Sequence, residues 1–370
     1  MFDIIEITEN KIEKVTYNFP DYRLQKRYTK LEGMLEQGQS SIMNKLSKSR
    51  GERKGGYDFF KNKRVEESVL KARIYERLLG LEQSIQGEHV LVVGDTTEYN
   101  FLPNESHLRD KTGLGTLSNE SSLGYLCHVN LAFRAADLSV LGLSDLQLWH
   151  REEDRPGAST RKQRDFEQKE SYKWHVGLHN SHQRLSKASK VTYIQDRDGD
   201  IYESIVKVRQ LPRAELLVRS CRDRKIQLPD GRQTMLYAYL DKQQMKFSYE
   251  LKVRGDKRIN RSSRIAKMEV YSCKVKLKRP ANLKQDKAPS VVEVDVVWVR
   301  ESSSTVPHTE SPIDWKLITT HQVLDTEQLT RQLIQWYENR WFIEEFFLSQ
   351  SQEHTTLSML YWKQGMAYVS

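Results

Sequence analysis

Residues 89–96 read His-Val-Leu-Val-Val-Gly-Asp-Thr, a short apolar run that reaches a carboxylate at Asp95. An apolar, β-branched run of this length is typical of a strand buried inside a sheet. Residues 191–200 read Val-Thr-Tyr-Ile-Gln-Asp-Arg-Asp-Gly-Asp, so a second such run leads into an acidic turn at Asp196. We therefore predict two buried strands, each with an aspartate at its carboxyl end.

The segments around these two runs complete a mixed α/β pattern. Two further strands are predicted at 124–134 and 138–149, and a charged helical stretch follows over about 162–186. A short helix at about 200–210 and a strand at 215–221 come after the second aspartate. This order predicts an RNase-H-like mixed sheet of five strands with flanking helices, in which the first three strands are antiparallel and later ones add in parallel.

Composition and patterning outside this core divide the chain into five regions. We predict, in order, a helical N-terminal DNA-binding domain, the first part of the core, a β-rich insertion, the second part of the core and an atypical tail, at residues 1–85, 86–222, 223–314, 315–350 and 351–370. The insertion is predicted from long strand-like runs at 246–254, 264–279 and 290–300. Alternating lysines at 274–278 place cations on one strand face, which also suits an exposed sheet edge.

The bulk composition indicates a globular protein with an anionic partner. The chain has 370 residues, 38% of them hydrophobic, and a formal net charge of +9, so nucleic acid leads the candidate partners and a merely soluble basic protein is the alternative. The three cysteines, Cys127, Cys221 and Cys273, are too few and too widely spaced for a disulfide framework or a zinc motif. No signal peptide and no apolar run near the ~20 residues of a membrane span are found. We expect a cytoplasmic protein.

Cations and aromatics interleave in the N-terminal region. Residues 57–64 read Tyr-Asp-Phe-Phe-Lys-Asn-Lys-Arg and follow a basic, glycine-containing stretch. Cations neutralise phosphates while aromatic side chains brace the helices that present them, so we predict DNA contacts at Lys54, Lys61, Lys63 and Arg64. The alternative is a solvated basic surface over a small helical core.

The clearest helix of the sequence is predicted over residues 325–347, with Asp325 as its N-cap. Within it, Tyr337, Arg340 and Glu344 are spaced three and four residues apart. That spacing places all three side chains on one helix face within two turns.

Three carboxylates of these segments form a candidate metal site. Asp95 and Asp196 follow strands that can be neighbours, and Glu344 on a packed helix can reach the same point. Three carboxylates repel one another unless a cation lies between them, and oxygen ligands favour Mg²⁺ or Mn²⁺. Two such ions, roughly 3.5–4 Å apart, promote in-line phosphoryl displacement. Taken singly, each aspartate is equally a turn or cap residue, and Glu344 half of a surface ion pair.

The helix at residues 337–347, Tyr-Glu-Asn-Arg-Trp-Phe-Ile-Glu-Glu-Phe-Phe, resembles the Y-(2)-R-(3)-E-(6)-K signature of DDE transposases. More closely, it is similar to the insertion-sequence-four family. Three further blocks agree in order and type: Asp95-Thr-Thr, Asp-Arg-Asp-Gly-Asp-Ile-Tyr at 196–202, and Lys-Glu-Ser-Tyr-Lys-Trp at 169–174. The resemblance covers roughly residues 20–347, and the long β insertion before the glutamate helix is also a family feature.

The resemblance implies a bacterial cut-and-paste DNA transposase. Asp95, Asp196 and Glu344 would bind Mg²⁺, with Mn²⁺ as a substitute, while Tyr337 and Arg340 would hold DNA phosphate near the cleavage site. Implied partners are the inverted repeats at transposon ends, target DNA and a second copy of the chain in a synaptic complex. The implied location is the bacterial cytoplasm, at the nucleoid.

Three further positions match the family with open alternatives. Trp315 corresponds to a tryptophan that stacks on a flipped base, where stacking offsets the cost of extruding the base; simple packing is the alternative. Arg219, near the end of a strand, either approaches DNA or pairs with a carboxylate. His128 occupies a frequent histidine position and is interpreted as a core histidine with its hydrogen bonds satisfied.

The resemblance fails after Phe347. The signature lysine is replaced by Ser351, and the 23 residues that follow Phe347 have no recognisable family character. We expect a frameshifted or truncated gene copy, weakly active or inactive in transposition. A catalytically silent DNA-binding remnant or inhibitor is therefore the first alternative function, and a host RNase-H-like nuclease is the second.

Overall fold

The computed structural model describes residues 19, 21–37, 43–79, 85–101, 114–119, 122–151, 164–255, 261–284, 287–323 and 327–352. The described helices are α1 Tyr22–Gln37, α2 Met43–Leu46, α3 Arg50–Lys61, α4 Glu67–Leu79, α5 Tyr172–Arg184, α6 Tyr202–Gln210, α7 Leu236–Leu240, α8 Glu327–Glu338 and α9 Phe342–Gln352, with 3₁₀ turns at Phe166–Gln168, Arg197–Gly199 and Asn339–Trp341. The described strands are β1 His89–Asn100, β2 Gly115–Thr116, β3 Leu123–Arg134, β4 Val140–Trp149, β5 Lys190–Gln195, β6 Ala214–Arg219, β7 Lys225–Gln227, β8 Gln233–Met235, β9 Phe247–Val253, β10 Arg264–Lys278, β11 Val291–Glu301 and β12 Asp314–Thr319.

The chain divides into two compact units. The first contains Met1–Gln86, Asp95–Lys187 and Trp341–Ser370, and the second contains Gly87–Gly94 and Ala188–Arg340. The division falls inside β1, so this strand contributes residues to both units.

In the first unit, the N-terminal helices bury a stripe of apolar side chains. Tyr28, Leu31 and Leu35 of α1 are buried at intervals of three and four residues, the spacing of one helix face. They accompany the buried Phe59 and Phe60 of α3. The described part of residues 1–85 therefore contains the helices α1 to α4, while its boundary and its DNA-binding role stay predictions.

The strands of the first unit form an antiparallel arrangement. β3 pairs antiparallel with β4 through the turn at residues 135–137, as the sequence predicted, and β2 pairs with β3. Helix α5 buries Trp174, Leu178 and Ser181, which recur every three or four residues. This helix is shorter than the predicted stretch at 162–186, because its described start is preceded by a 3₁₀ turn at Phe166–Gln168.

The second unit contains the parallel part of the sheet. The first half of β1 pairs parallel with β5, and β5 pairs parallel with β6. The sheet then continues antiparallel through β12, β11 and β10, with the short strands β7 and β8 beyond and β9 along the same edge of β10.

The expectation of a five-stranded sheet is wrong in number, since the strands of the predicted insertion extend the sheet itself. The reason lies in β11, where the four consecutive residues 296–299 are all buried. A strand that is apolar on both faces is stable only inside a sheet covered on both sides. The fold is therefore mixed α/β, with a large mixed sheet and flanking helices. No helix among the described residues has the length and apolar character needed to cross a membrane.

Candidate functional site

Asp196 lies at the end of a buried strand, where the sequence placed it. β5 ends at Gln195, and the Asp196 carboxylate caps the 3₁₀ turn by accepting the Asp198 amide at 2.9 Å. The change from apolar residues to Asp-Arg-Asp-Gly supplies the turn chemistry that stops the strand. Burial raises the pKa of Asp196, while the Asp198 amide and the positive charge of Arg340 act in the opposite direction.

Tyr337, Arg340 and Arg219 come together with Asp196 in the second unit. Tyr337 is only 7% exposed, and burial raises the pKa of its hydroxyl. The Arg219 side chain, hydrogen-bonded to that hydroxyl, and the charge of Arg340 lower the pKa of Tyr337, whereas the charge of Asp196 raises it. Two chain segments therefore supply this group: the segment of Tyr337 and Arg340 lies near the Asp196 carboxylate, and the segment of Arg219 lies at Tyr337.

Arg219 and Trp315 are tied to the same surroundings. The Arg219 guanidinium donates to the main-chain oxygen of Asp314 at 2.9 Å, so its described partners are a carbonyl and a tyrosine, not a carboxylate side chain. The half-buried Trp315 packs edge-on against Tyr337, with ring centroids 5.7 Å apart. In the protein without DNA, Trp315 therefore packs against Tyr337, and its stacking on a flipped base stays a prediction.

The second sequence block also contains a buried carboxylate with a structural partner. Asp200 is 1% exposed and forms an ion pair with Arg224, which is 7% exposed. Asp200 belongs to the sequence block at 196–202. Arg224 carries no motif, so only its position in the fold reveals it.

Asp95 lies within a strand, contrary to the expectation that its strand ends there. β1 continues to Asn100, because Thr96, Thr97 and Tyr99 after Asp95 are residue types that favour strands. The half-buried Asp95 carboxylate accepts the amide of Thr96 at 2.7 Å.

His128 and Trp174 pack beside the part of β1 that carries Asp95, in the first unit. The Thr96 hydroxyl and the His128 Nδ1 are 2.9 Å apart, and the His128 ring lies edge-on to Trp174 with centroids 4.6 Å apart. Burial lowers the pKa of His128 to about 3, so the ring is neutral at physiological pH. The interpretation of His128 as a core histidine is confirmed for its burial, but not for its hydrogen bonds, since the buried Nε2 has no hydrogen-bond partner among the described residues.

The residues of the block at 169–174 form structural contacts within the first unit. Glu170 accepts two hydrogen bonds from the Arg151 guanidinium, at 2.8 and 2.7 Å, and Arg151 also reaches Glu98 at 3.2 Å. Trp174 is 2% exposed. These contacts anchor the start of α5 in the first unit, which is a packing role for this block.

The continuous helix predicted over 325–347 is wrong. Helix α8 ends at Glu338, and a 3₁₀ turn at Asn339–Trp341 separates it from α9. A 3₁₀ turn has 3.0 residues per turn instead of 3.6, so Arg340 and Glu344 no longer share the face of one ideal helix. The proposed cap, Asp325, lies outside the described residues.

Glu344 belongs to the first unit, where it is half-buried on α9. Its neighbour Ile343 is fully buried, and the ring of Phe342 lies 6.0 Å from that of Phe133. The apolar neighbours therefore fix this end of α9 to β3. The side chain of Ser351, at the position of the missing lysine, lies outside the described residues.

The four N-terminal cations predicted to contact DNA are exposed. Lys54 pairs with Asp58 at 2.6 Å, and Arg64 pairs with Asp21 at 3.0 Å. Lys61 and Lys63 lie at the end of α3 and just after it. Exposed pairs of this kind exchange readily with a phosphate, since each contributes little to stability.

The predicted metal triad is divided between the two units. Asp95 and Glu344 belong to the first unit and Asp196 to the second. Among the described residues, no group of three or more histidine, cysteine, aspartate or glutamate side chains is placed to hold a metal ion. A single carboxylate does not form a divalent-cation site by itself, so the triad stays a prediction from the sequence.

Comparison with known proteins leaves the family open. No protein-family model matches the chain, and no curated protein matches its sequence. Among solved structures, the crystal structure of the NurA nuclease from Sulfolobus solfataricus is similar over 80% of this chain and 86% of that chain, at 8% sequence identity and a TM-score of 0.29. A score this low shows neither a shared fold nor a shared activity.

Proposed function

We propose that this chain is a metal-dependent DNA transposase of the DDE type, with an RNase-H-like core related to the insertion-sequence-four family. The observation that carries the proposal is that Tyr337 and Arg340 lie near the Asp196 carboxylate in the second unit, with Arg219 hydrogen-bonded to Tyr337. The sequence resemblance implies roles for Asp196, Tyr337 and Arg340 in catalysis and phosphate binding, and DNA contact is one of the two alternatives for Arg219. Its substrates would be transposon-end DNA and target DNA.

The chemistry of this group suits a phosphodiester substrate. Arginine donors match phosphate oxygens in charge and geometry, and two arginines beside one carboxylate can hold a phosphate while the carboxylate faces a cation. The half-buried Trp315 offers an aromatic face at the same place. Strand cleavage and strand transfer are both displacements at phosphorus, so one such site would serve both reactions.

The proposal requires a divalent cation, Mg²⁺ or Mn²⁺, which would supply Lewis-acid stabilisation of the phosphate. Asp196, Asp95 and Glu344 would be its ligands. The described residues form no such group of three, and titration with Mn²⁺ tests the ligand set.

A cleavage assay tests the proposal. The full chain is incubated with Mg²⁺ or Mn²⁺ and DNA carrying the flanking inverted repeats, beside the variants Asp196→Ala and Asp198→Ala. Asp198 is the matched control, because it is an exposed aspartate two residues away. We expect Asp196→Ala to lose nicking by roughly 10³-fold or more and Asp198→Ala to keep it. Nicking that survives Asp196→Ala contradicts the assignment.

A catalytically silent DNA-binding protein is the second candidate function. The 3₁₀ turn at Asn339–Trp341 favours it, because it separates the helix of Tyr337 from the helix of Glu344, the third predicted ligand. Calorimetric titration of the wild type with Mn²⁺ and a DNA-binding assay distinguish the two. Specific DNA binding with neither metal uptake nor nicking would support the silent protein and exclude the enzyme.

A further inference from the structure

All three oxygens of Asp200, which forms a buried ion pair with Arg224, accept hydrogen bonds. Arg224 donates from Nε to the Asp200 carboxylate at 3.0 Å and from Nη2 to the same carboxylate oxygen. The same Nη2 also donates to the Asp200 main-chain oxygen at 2.7 Å. The other carboxylate oxygen accepts the Cys221 amide at 2.9 Å. Asp200 is therefore held by directional bonds to both its side chain and its main chain.

These bonds join two segments that carry candidate site residues. Asp200 closes the turn that starts at Asp196, while Cys221 follows Arg219 by two residues at the end of β6. The turn itself is tight, since a Cβ on Gly199 would lie 2.6 Å from the side chain of Gln195. A shift of this ion pair would move both segments together.

Burial of the pair indicates a role in orientation. Two buried charges give little net stability, since apolar residues of similar volume often replace them without loss. Charge-assisted hydrogen bonds of fixed geometry, in contrast, set the position of the groups that they join. We infer that Asp200 and Arg224 are positioning residues, which fix the Asp196 turn and the Arg219 end of β6 relative to each other. Their effect on cleavage rests on the proposed function.

Hydrogen exchange measures this positioning without reference to activity. Asp200→Asn keeps the shape of the side chain and removes its charge. Glu301→Gln is the matched control, because Glu301 is 4% exposed and pairs with Arg264 on β10. We expect amide exchange in residues 196–201 and at Cys221 to rise at least tenfold in Asp200→Asn and to stay unchanged in Glu301→Gln. Unchanged exchange in a folded Asp200→Asn protein overturns the inference.

The Cys221 thiol is a second local reporter. Cys221 is exposed, whereas Cys127 and Cys273 are buried. Burial raises the pKa of the Cys221 thiol, and the nearby Asp200 carboxylate raises it further. Asp200→Asn is therefore expected to shift the pH profile of the reaction with Ellman's reagent to lower pH. General loosening of the protein would accelerate the reaction without moving its midpoint, and that result also counts against the inference.

Cleavage kinetics then connect the pair to the site. We expect Asp200→Asn to lower kcat roughly 10- to 100-fold with KM changed less than twofold, since misplacement of about 1 Å costs a rate factor of this order. Increased exchange with unchanged kcat overturns the positioning role. If the wild type does not cleave DNA, the proposed function fails, whereas the exchange and thiol results still decide whether the pair holds the turn. If Asp200→Asn does not fold, Arg224→Lys is the second variant, because it keeps the positive charge and removes the two guanidinium donors. Amide exchange in Arg224→Lys equal to that of the wild type then overturns the inference.

Discussion

The surroundings of Asp95 and those of Asp196 are held together by different forces. Asp95 is followed by Thr96, whose hydroxyl meets the fully buried His128, and the histidine packs on the ring of Trp174. The surroundings of Asp196 instead contain arginines and hydrogen-bonded carboxylates. The first neighbourhood depends on apolar burial and a neutral histidine, and the second depends on paired charges. The two should therefore respond in opposite ways to cavities, acid and loss of charge.

The largest effect on stability is expected from Trp174→Ala. Trp174 is 2% exposed, so its removal leaves a cavity under His128 and should lower the free energy of unfolding by about 3–5 kcal/mol. Urea denaturation followed by circular dichroism measures the change. Trp341→Ala is the control, because that tryptophan is 47% exposed and should cost about 0.5 kcal/mol or less. Equal losses in the two variants would contradict burial as the dominant force beside Asp95.

Acidification should change the stability contributions of His128 and Asp196 in opposite directions. Burial lowers the pKa of His128 to about 3, below its unfolded value of 6.5. The unfolded chain therefore binds a proton at His128 that the native state does not bind. The contribution of His128 to the free energy of unfolding should fall by about 1.4 kcal/mol for each pH unit below 6.5. His128→Asn should remove only the His128 share of the acid slope, about 3 kcal/mol between pH 6.5 and 4.5, because burial also lowers the pKa of His321 to about 3 and that of His89 to about 4. A wild-type slope retained in the variant would show that His128 is not the titrating group.

Asp196 should act in the opposite direction. Burial raises its pKa above the unfolded value of 3.8, so its native state binds the proton more readily than the unfolded chain does. The stabilising contribution is fully present below the unfolded pKa and is lost as pH rises through the native pKa. Asp196→Asn should remove this gain on acidification, as measured by unfolding at several pH values. A larger gain in the variant would contradict the sign.

A smaller effect tests the hydrogen bond between Thr96 and His128. Thr96→Val keeps the shape and removes the hydroxyl, leaving His128 Nδ1 buried without that partner, at a cost of about 1–3 kcal/mol. Thr97→Val is the neighbouring control and should change stability far less. Thermal unfolding at pH 7 compares the two, and equal melting temperatures would place the hydrogen bond outside the determinants of this neighbourhood.

The smallest effect on stability is expected at Lys54, whose pair with Asp58 is exposed on both sides. Lys54→Ala should change the free energy of unfolding by about 0.5 kcal/mol or less, since exposed pairs contribute little. DNA binding should respond more. If Lys54 contacts one phosphate, the slope of log K against log salt falls by about 0.9. An unchanged slope would remove Lys54 from the DNA interface, with Lys61→Ala as the parallel test.

The amino-acid sequence by itself determined the strands that have continuous apolar runs and the turn at Asp196. β-branched residues up to Gln195 followed by Asp-Arg-Asp-Gly permit one local answer, because strand propensity and turn chemistry agree there. It also singled out the residues that the second unit brings to Asp196. These residues were identified by the resemblance to the transposase family and not by the amino-acid composition.

Only the tertiary structure decided the features that depend on distant partners. The 3₁₀ turn after Glu338 interrupts a sequence with continuous helical spacing, and the boundary between the two units falls within it, after Arg340. The burial of residues 296–299 places the insertion strands inside the sheet. Arg224 is recognised only because it meets Asp200, 24 residues earlier in the chain. Local spacing reports propensity, whereas these features follow from which surfaces the folded chain removes from water.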